Sequence, residues 1–346
     1  MATIPGHMRE HSNVWSKVSC PGQSADPTRM QVPRVTVILN ASSGHHDAQR
    51  AAEEIQAGFD EAGCPCRLVI ANAAGEVEAL AQRAIDEARA QMRDAPPDAQ
   101  RPIIAAAGGD GTINLLARLV LDAGLTFGLV PLGTFNYLAR HLGIPLEPRA
   151  AAIALATGVR RRVHVGRVNG NLFLNNASFG LYRALLEERE QFKQRFGRYK
   201  IVAAFAGLYT LLRFRKVYTL HLDVDGKPVA IRSPMLFFGL NSLQFENLGM
   251  DAAACTQAGM MAVIALQPSG RWQLLRLALR GALHRLHDST DLRTLCASQA
   301  QVLLPGRRRL RVAVDGESLE CRLPLQFEVV RDALEVVVPR EPEERK

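Results

Sequence analysis

Five consecutive residues, Ile103 to Ala107, are apolar or small, and a glycine run follows at once: Gly108-Gly109-Asp110-Gly111-Thr112-Ile113-Asn114. A strand without polar alternation has both faces covered, which implies a parallel sheet with helices on either side. The glycine run passes directly into a helical pattern over Thr112–Asp122. Arg34–Leu39, Arg67–Ile70 and Phe127–Val130 read as further buried strands. Between them, Asp47–Ala62 carries Ala51, Ile55 and Phe59 on one helical face, and Glu76–Arg93 carries Val77, Leu80, Ala84 and Ala88. Strand–helix alternation of this kind predicts an N-terminal Rossmann-like α/β domain with a parallel sheet.

Near residue 160 the pattern changes. Val163–Val168, Leu172–Asn176, Tyr218–Val224, Met235–Leu240, Met260–Leu266, Gln301–Leu304, Leu310–Val314, Leu325–Val330 and Leu334–Val338 all read as strands. Asp225-Gly226 and Asp315-Gly316 are hairpin turn signals. This half predicts a β-rich antiparallel sandwich. The expected organisation is a disordered leader over 1–32 with Met30 as a candidate natural start, an α/β domain over 33–160, a β-rich domain over 161–338, and a charged tail over 339–346. A cleft between the two domains is expected.

Composition narrows the function classes. Hydrophobic residues at 47% and charged residues at 22% describe a globular chain. Residues 1–30 lack an apolar secretory core. The longest uncharged apolar stretch, Ile201–Leu212, is far short of the roughly 20 residues that span a bilayer. A cytoplasmic protein, at most peripheral to a membrane, is expected. The six cysteines show no zinc spacing and read as free thiols of a reducing compartment. A net charge of +8 favours an anionic partner. Nucleic acid is not expected, because aromatics are only 6% and do not interleave with the basic residues. A homodimer is neither required nor excluded.

The glycine run has a chemical meaning. Glycines let backbone approach a ligand, and the N–H groups opening a helix attract anions. A carboxylate there, Asp110, makes sense beside phosphates when Mg²⁺ lies between. The plain alternative is a tight turn with Asp110 as a helix cap. A second loop, Val130-Pro131-Leu132-Gly133-Thr134-Phe135-Asn136, repeats the arrangement, and Leu39-Asn40-Ala41-Ser42-Ser43-Gly44 is a third. Loops at the carboxyl ends of parallel strands converge on one crevice.

Asn40 with Ser43-Gly44, then GGDGTIN, PLGTFN and the late Val314-Asp315-Gly316-Glu317, together resemble the diacylglycerol kinase catalytic-domain family over about residues 34–338. That family includes bacterial lipid kinases and sphingosine and ceramide kinases. The resemblance implies an ATP-dependent lipid kinase with Mg²⁺, acting on a diacylglycerol- or sphingoid-like hydroxyl. It implies nucleotide contacts from Asn40, Gly108, Gly109, Asp110, Gly111, Thr112, Ile113, Asn114, Gly133 and Thr134. It implies Glu317 as proton acceptor and Asp110 as the metal or base carboxylate. The chain departs from the family pattern at Leu115 (Glu), Tyr137 (Asp), Ala71 (Thr) and Ala258 (the Asp of a regulatory Mg²⁺ loop). An NAD kinase-like enzyme shares the GGDGT core, but PLGTFN and the VDGE hairpin favour the lipid-kinase branch. A non-catalytic nucleotide- or anion-binding protein is the other alternative.

Arg271–His287 segregates Trp272, Leu275, Leu279, Leu283 and Leu286 from Arg276, Arg280, His284 and His287, as a surface-binding helix does. Lys193–Lys216 is an apolar segment with basic ends. Arg160-Arg161-Arg162 and Arg307-Arg308-Arg309 read as solvated edges or as contacts to lipid headgroups.

Overall fold

The computed structural model describes residues 35–42, 48–73, 75–93, 101–181, 216–246, 252–267 and 291–340. The leader, the charged end beyond residue 340 and the segments 193–215 and 271–287 lie outside the described residues.

Four parallel strands build the first half: β1 (Val35–Asn40), β2 (Cys66–Ala71), β3 (Ile103–Gly108) and β4 (Thr126–Pro131), in the order β2-β1-β3-β4. Every residue of β3 and β4 is buried, which is why neither strand alternates in sequence. Helices α1 (Ala48–Glu61), α2 (Glu76–Arg93) and α3 (Asp110–Ala123) cross between the strands. The Glu76 carboxylate caps α2 from within by accepting the N–H groups of Asn72 (2.9 Å) and Ala73 (3.3 Å). Gly124 ends α3 in the left-handed region at φ 67°. Two helices escape the periodicity: the short α4 (Tyr137–His141), and α5 (Pro148–Thr157), which opens on a proline.

In the second half, β5 (Val159–Val168), β6 (Asn171–Phe173), β8 (Tyr218–Val224), β9 (Lys227–Ser233), β13 (Gln299–Leu303) and β16 (Leu325–Val338) extend the first sheet. A second, wholly antiparallel sheet has the order β12-β11-β10-β7-β14-β15. It contains β7 (Asn176–Gly180), β10 (Met235–Gly239), β11 (Met261–Leu266), β12 (Leu292–Ala297), β14 (Arg309–Val314) and β15 (Glu317–Arg322). The two sheets share a core that includes Phe173, Phe179, Phe238 and Phe327, with Phe238 stacked on Phe327 at 3.6 Å between centroids. The architecture is therefore the expected one, a parallel-sheet α/β part followed by an antiparallel sandwich.

One strand joins the two parts. The early residues of β16 pair with β13, and Val336 pairs in parallel with Phe127 of β4. On the other side Phe327–Val330 and Leu334–Val338 pair with β5, with a register shift between Val330 and Leu334. Sequence reading divides β16 at this point because Arg331 and Asp332 interrupt the apolar run. An irregularity with Asp332 at φ 48° absorbs the interruption, and the strand continues. Beside the join, Arg160 donates to Thr126 Oγ1 (2.6 Å) and Glu335 (3.1 Å), tying β5, β4 and β16 together.

On the outer side of the second sheet, α6 (Ser242–Glu246) and α7 (Ala253–Gln257) cover Phe237, Ala262 and Ile264. Here the expectation of free thiols is corrected. Cys255 of α7 and Cys296 of edge strand β12 form a disulfide with Cα atoms 5.1 Å apart, across 41 residues of sequence. Chain spacing could not show this pair, because it is made by α7 folding onto the sheet. Cys66 and Cys321 are free thiols.

The α1–α5 contact yields a test of the packing. A β-carbon on Gly58 would lie 2.5 Å from the Arg149 carbonyl oxygen and 2.8 Å from the Ala152 β-carbon. Backbone cannot swing aside, so Gly58→Ala should destabilise the fold by about 1–3 kcal/mol. A lowered urea midpoint at unchanged slope is the expected reading.

Candidate active site

The three loops predicted to converge do so at the carboxyl ends of β1, β3 and β4. Asn40, at the end of β1, donates from Nδ2 to Thr112 Oγ1 at 2.9 Å. Its Oδ1 accepts from Ser42 N (3.1 Å) and Ser42 Oγ (2.7 Å), which fixes the turn at Asn40–Ser42. Gly109 sits at the N-cap of α3 with no side-chain cap, so the first-turn N–H groups keep the anion-attracting character of a helix start. Gly133 of the second loop faces it closely. A β-carbon at Gly133 would stand 2.8 Å from Gly109 Cα, so the two loops meet through glycine alone.

Asp110 fastens this contact. Its Oδ2 accepts the Asn136 N–H and its Oδ1 the Tyr137 N–H, each at 3.0 Å. The cap suggested as the plain alternative exists, but it caps α4 rather than its own helix. Asn136, in the left-handed region at φ 51°, closes its loop by pairing with both the N–H and the carbonyl of Gly133 at 2.9 Å. Burial pushes the Asp110 carboxyl above the usual carboxylate range, opposed by the Tyr137 and Asn136 N–H bonds.

The β-rich half supplies the other wall. Asn241, just before α6, donates to the Tyr137 carbonyl (3.1 Å) and to Asn175 Oδ1 (3.0 Å). The β14–β15 turn brings two carboxylates. Asp315 Oδ2 accepts the Leu174 N–H at 2.6 Å, and Oδ1 accepts those of Asn175 (2.9 Å) and Asn176 (2.8 Å). Burial pushes Asp315 up to about 6, against those three bonds and with help from the Asp110 charge. Glu317 is exposed, and its Oε1 lies 4.0 Å from the β-carbon position of Gly111.

The predicted residues thus divide. Gly109, Asp110, Gly111, Gly133 and Glu317 come together around one loop. Thr134 is exposed beside it. Asn114 Oδ1 is buried with no hydrogen-bond partner. Thr112 spends its hydroxyl on Asn40, and the Gly108 carbonyl accepts the Leu132 N–H at 2.9 Å, so both hold the loops. Ile113 corrects the expectation of a ligand contact. Its side chain is fully buried in the α/β core and its N–H is bonded to the Gly109 carbonyl. Asp315 and Asn241 were not anticipated. Asp315 lay in view within the DG turn, but a turn signal does not tell which way a carboxylate points. Asn241 carried no local signal.

Comparison with known proteins gives a consistent result. Residues 34–168 match the diacylglycerol kinase catalytic domain. A protein named diacylglycerol kinase from Bacillus subtilis is 28% identical over 90% of this chain and 98% of its own. A Pseudomonas syringae protein named "probable lipid kinase YegS-like" is 30% identical over 68% of this chain and 75% of its own. A crystal structure of a diacylglycerol kinase from Bacillus anthracis superposes with a TM-score of 0.66 over 90% of this chain and 98% of that one, at 17% identity, and shares its fold.

The Asp315 environment predicts a pH dependence of stability. A carboxyl whose folded-state value rises from the ordinary 3.8 to about 6 is better accommodated protonated. Its contribution is full below about pH 4, is lost as pH rises to about 6, and is flat above. The loss should be on the order of 3 kcal/mol. Asp315→Asn should abolish that slope in unfolding titrations between pH 4 and 6.5. An unchanged slope would place the carboxyl in water.

Proposed function

Because the chain belongs to the diacylglycerol kinase catalytic-domain family, we propose that it transfers the γ-phosphoryl group of ATP to the hydroxyl of a diacylglycerol- or sphingoid-like lipid. The observation that carries this reading is the meeting of Glu317, from the β-rich half, with the Gly109–Gly111 start of α3. An uncommitted carboxylate beside a phosphate-attracting helix start is what phosphoryl transfer to an alcohol requires. The alcohol needs a base, and the phosphoryl group needs positioning and charge neutralisation.

The three carboxylates take different parts. Asp315 has both carboxylate oxygens turned to the backbone, where they accept three N–H bonds, and so it serves to hold the chain. Asp110 is similarly engaged by two. Glu317 makes no side-chain hydrogen bond or ion pair among the described residues and is exposed, so it is the proton acceptor in this reading. The Gly109–Gly111 N–H groups would face the phosphates, with Thr134 toward the nucleotide.

The site fits Mg²⁺ as the companion of ATP. No group of three or more His, Cys, Asp or Glu that could hold a metal occurs among the described residues. Asp110 beside the phosphate loop suits an ion held by one carboxylate, phosphate oxygens and water. When bound there it would neutralise phosphate charge. Among the described residues no helix is long and apolar enough to cross a membrane, and the proposed lipid acceptor calls for peripheral attachment to a bilayer.

Glu317→Gln keeps size and hydrogen bonding but cannot take the proton. Steady-state kinetics should show kcat reduced roughly 10²–10⁴-fold with little change in KM for ATP. Near-normal kcat in that variant, alongside an inactive Asp110→Asn, would move the base to Asp110.

A further inference from the structure

Two helices of five residues each, α6 and α7, lie between the Cys255–Cys296 disulfide and the active site. A helix of that length does not hold its shape in water by itself, so its position comes from what it packs against. α7 has no side-chain cap at its start and packs on α6, β11 and β12. Its Cys255 is bonded to Cys296 of β12, an edge strand of the second sheet. α6 sets Phe245 edge-on to Phe237 at 6.0 Å between centroids, and a β-carbon on Gly239 would collide with the Phe245 ring. α6 in turn packs on α4, the helix that Asp110 caps.

Asn241 adds hydrogen bonds to this path. Its Oδ1 accepts the Leu243 N–H at 3.0 Å, at the start of α6, while its Nδ2 donates to the Tyr137 carbonyl and to Asn175 Oδ1. Asn241 is 1% exposed, so an amide drawn out of these bonds would be left unsatisfied. The placement of α6 therefore bears on α4 and on the loop after β4.

The disulfide is open to reagents, since Cys296 is exposed while Cys255 beneath it is buried. A chain of 346 residues with two large apolar cores has no need of a covalent staple for its fold. The link lies outside both cores. Cys255 belongs to the smaller cluster in which Phe245 and Ala252 rest on Phe237, Ala262 and Ile264.

We infer that the Cys255–Cys296 disulfide is a redox latch on the site. Closed, it holds α7 and α6 against α4; opened by a dithiol reductant, it releases them and lowers turnover. The thiolate of the reductant attacks Cys296 Sγ, the Sγ–Sγ bond breaks, and Cys255 leaves as a thiolate that takes up a proton. The reductant's second thiol then displaces Cys296 from the mixed disulfide. Two electrons and two protons pass to the protein, and the reductant ends as its own disulfide. The effect on turnover rests on the lipid-kinase reading; the release of the helices does not.

The test compares the air-oxidised full chain with and without dithiothreitol, by amide hydrogen exchange and by phosphorylation of a short-chain diacylglycerol. Reduction should speed exchange about tenfold in peptides over 137–144 and 241–246 as well as 253–257, with β3 and β4 unaffected. The kcat should fall on the order of 10-fold. Cys255→Ala/Cys296→Ala should show both changes without reductant and respond no further to it. Cys64 is also disulfide-bonded, and Cys64→Ala should respond as the unaltered protein does. Faster exchange confined to 253–257 and 292–297 would make the disulfide a local staple and overturn the inference. So would a response that survives in the double variant or disappears in Cys64→Ala, or a mass showing no Cys255–Cys296 bond in the oxidised chain. Absence of lipid phosphorylation by the oxidised protein would instead count against the kinase reading, and the exchange pattern would still decide the latch.

Discussion

Everything at the site depends on the two hydrogen bonds that Asp110 accepts from the Asn136 and Tyr137 N–H groups. They hold the glycine loops after β3 and β4 in contact and cap α4. They also fix the Tyr137 carbonyl where Asn241 can reach it from the β-rich half. A half-buried carboxylate stripped of such donors would bear its full desolvation cost, so the two loops are stable only together. Asp315 repeats the device from the other side, gathering three successive N–H groups at Leu174–Asn176. Two aspartates thus order the backbone from the two halves, and each is close enough to the crevice for charge to be felt between them.

This arrangement separates carboxylates committed to the backbone from one that is not. Asp110 and Asp315 are costly to ionise and are held by backbone donors, whereas Glu317 is solvated and uncommitted. The shared strand β16 ties the halves together, since the same backbone pairs with β4 at Phe127, near that strand's amino end, and with β13 in the sandwich.

The parallel half was legible because buried parallel strands are plain apolar runs, and the glycine loops after them are rare enough to stand out. The second half was read less completely, for a physical reason. Lys227–Ser233, Leu292–Ala297 and Glu317–Arg322 are half-exposed strands at sheet edges or beside them, and their polar residues conceal the period. Residue types in the site were visible, but orientation was not. Nothing in Val314-Asp315-Gly316-Glu317 shows that the aspartate turns inward to backbone N–H groups while the glutamate stays free. Nor does Gly108-to-Asn114 show that Ile113 points into the core and Asp110 across to another loop. Contacts made by topology, such as Cys255 with Cys296, require the fold itself.

The central claim is that Glu317 and the Gly109–Gly111 loop serve one reaction, from ATP to a lipid alcohol. The most direct measurement follows label from the γ-phosphate of ATP when the full chain is incubated with Mg²⁺, a membrane lipid extract and NAD. The account predicts label in a chloroform-soluble phosphomonoester lipid, identifiable by its mass. Label in NADP, or no transfer to any lipid, would contradict it.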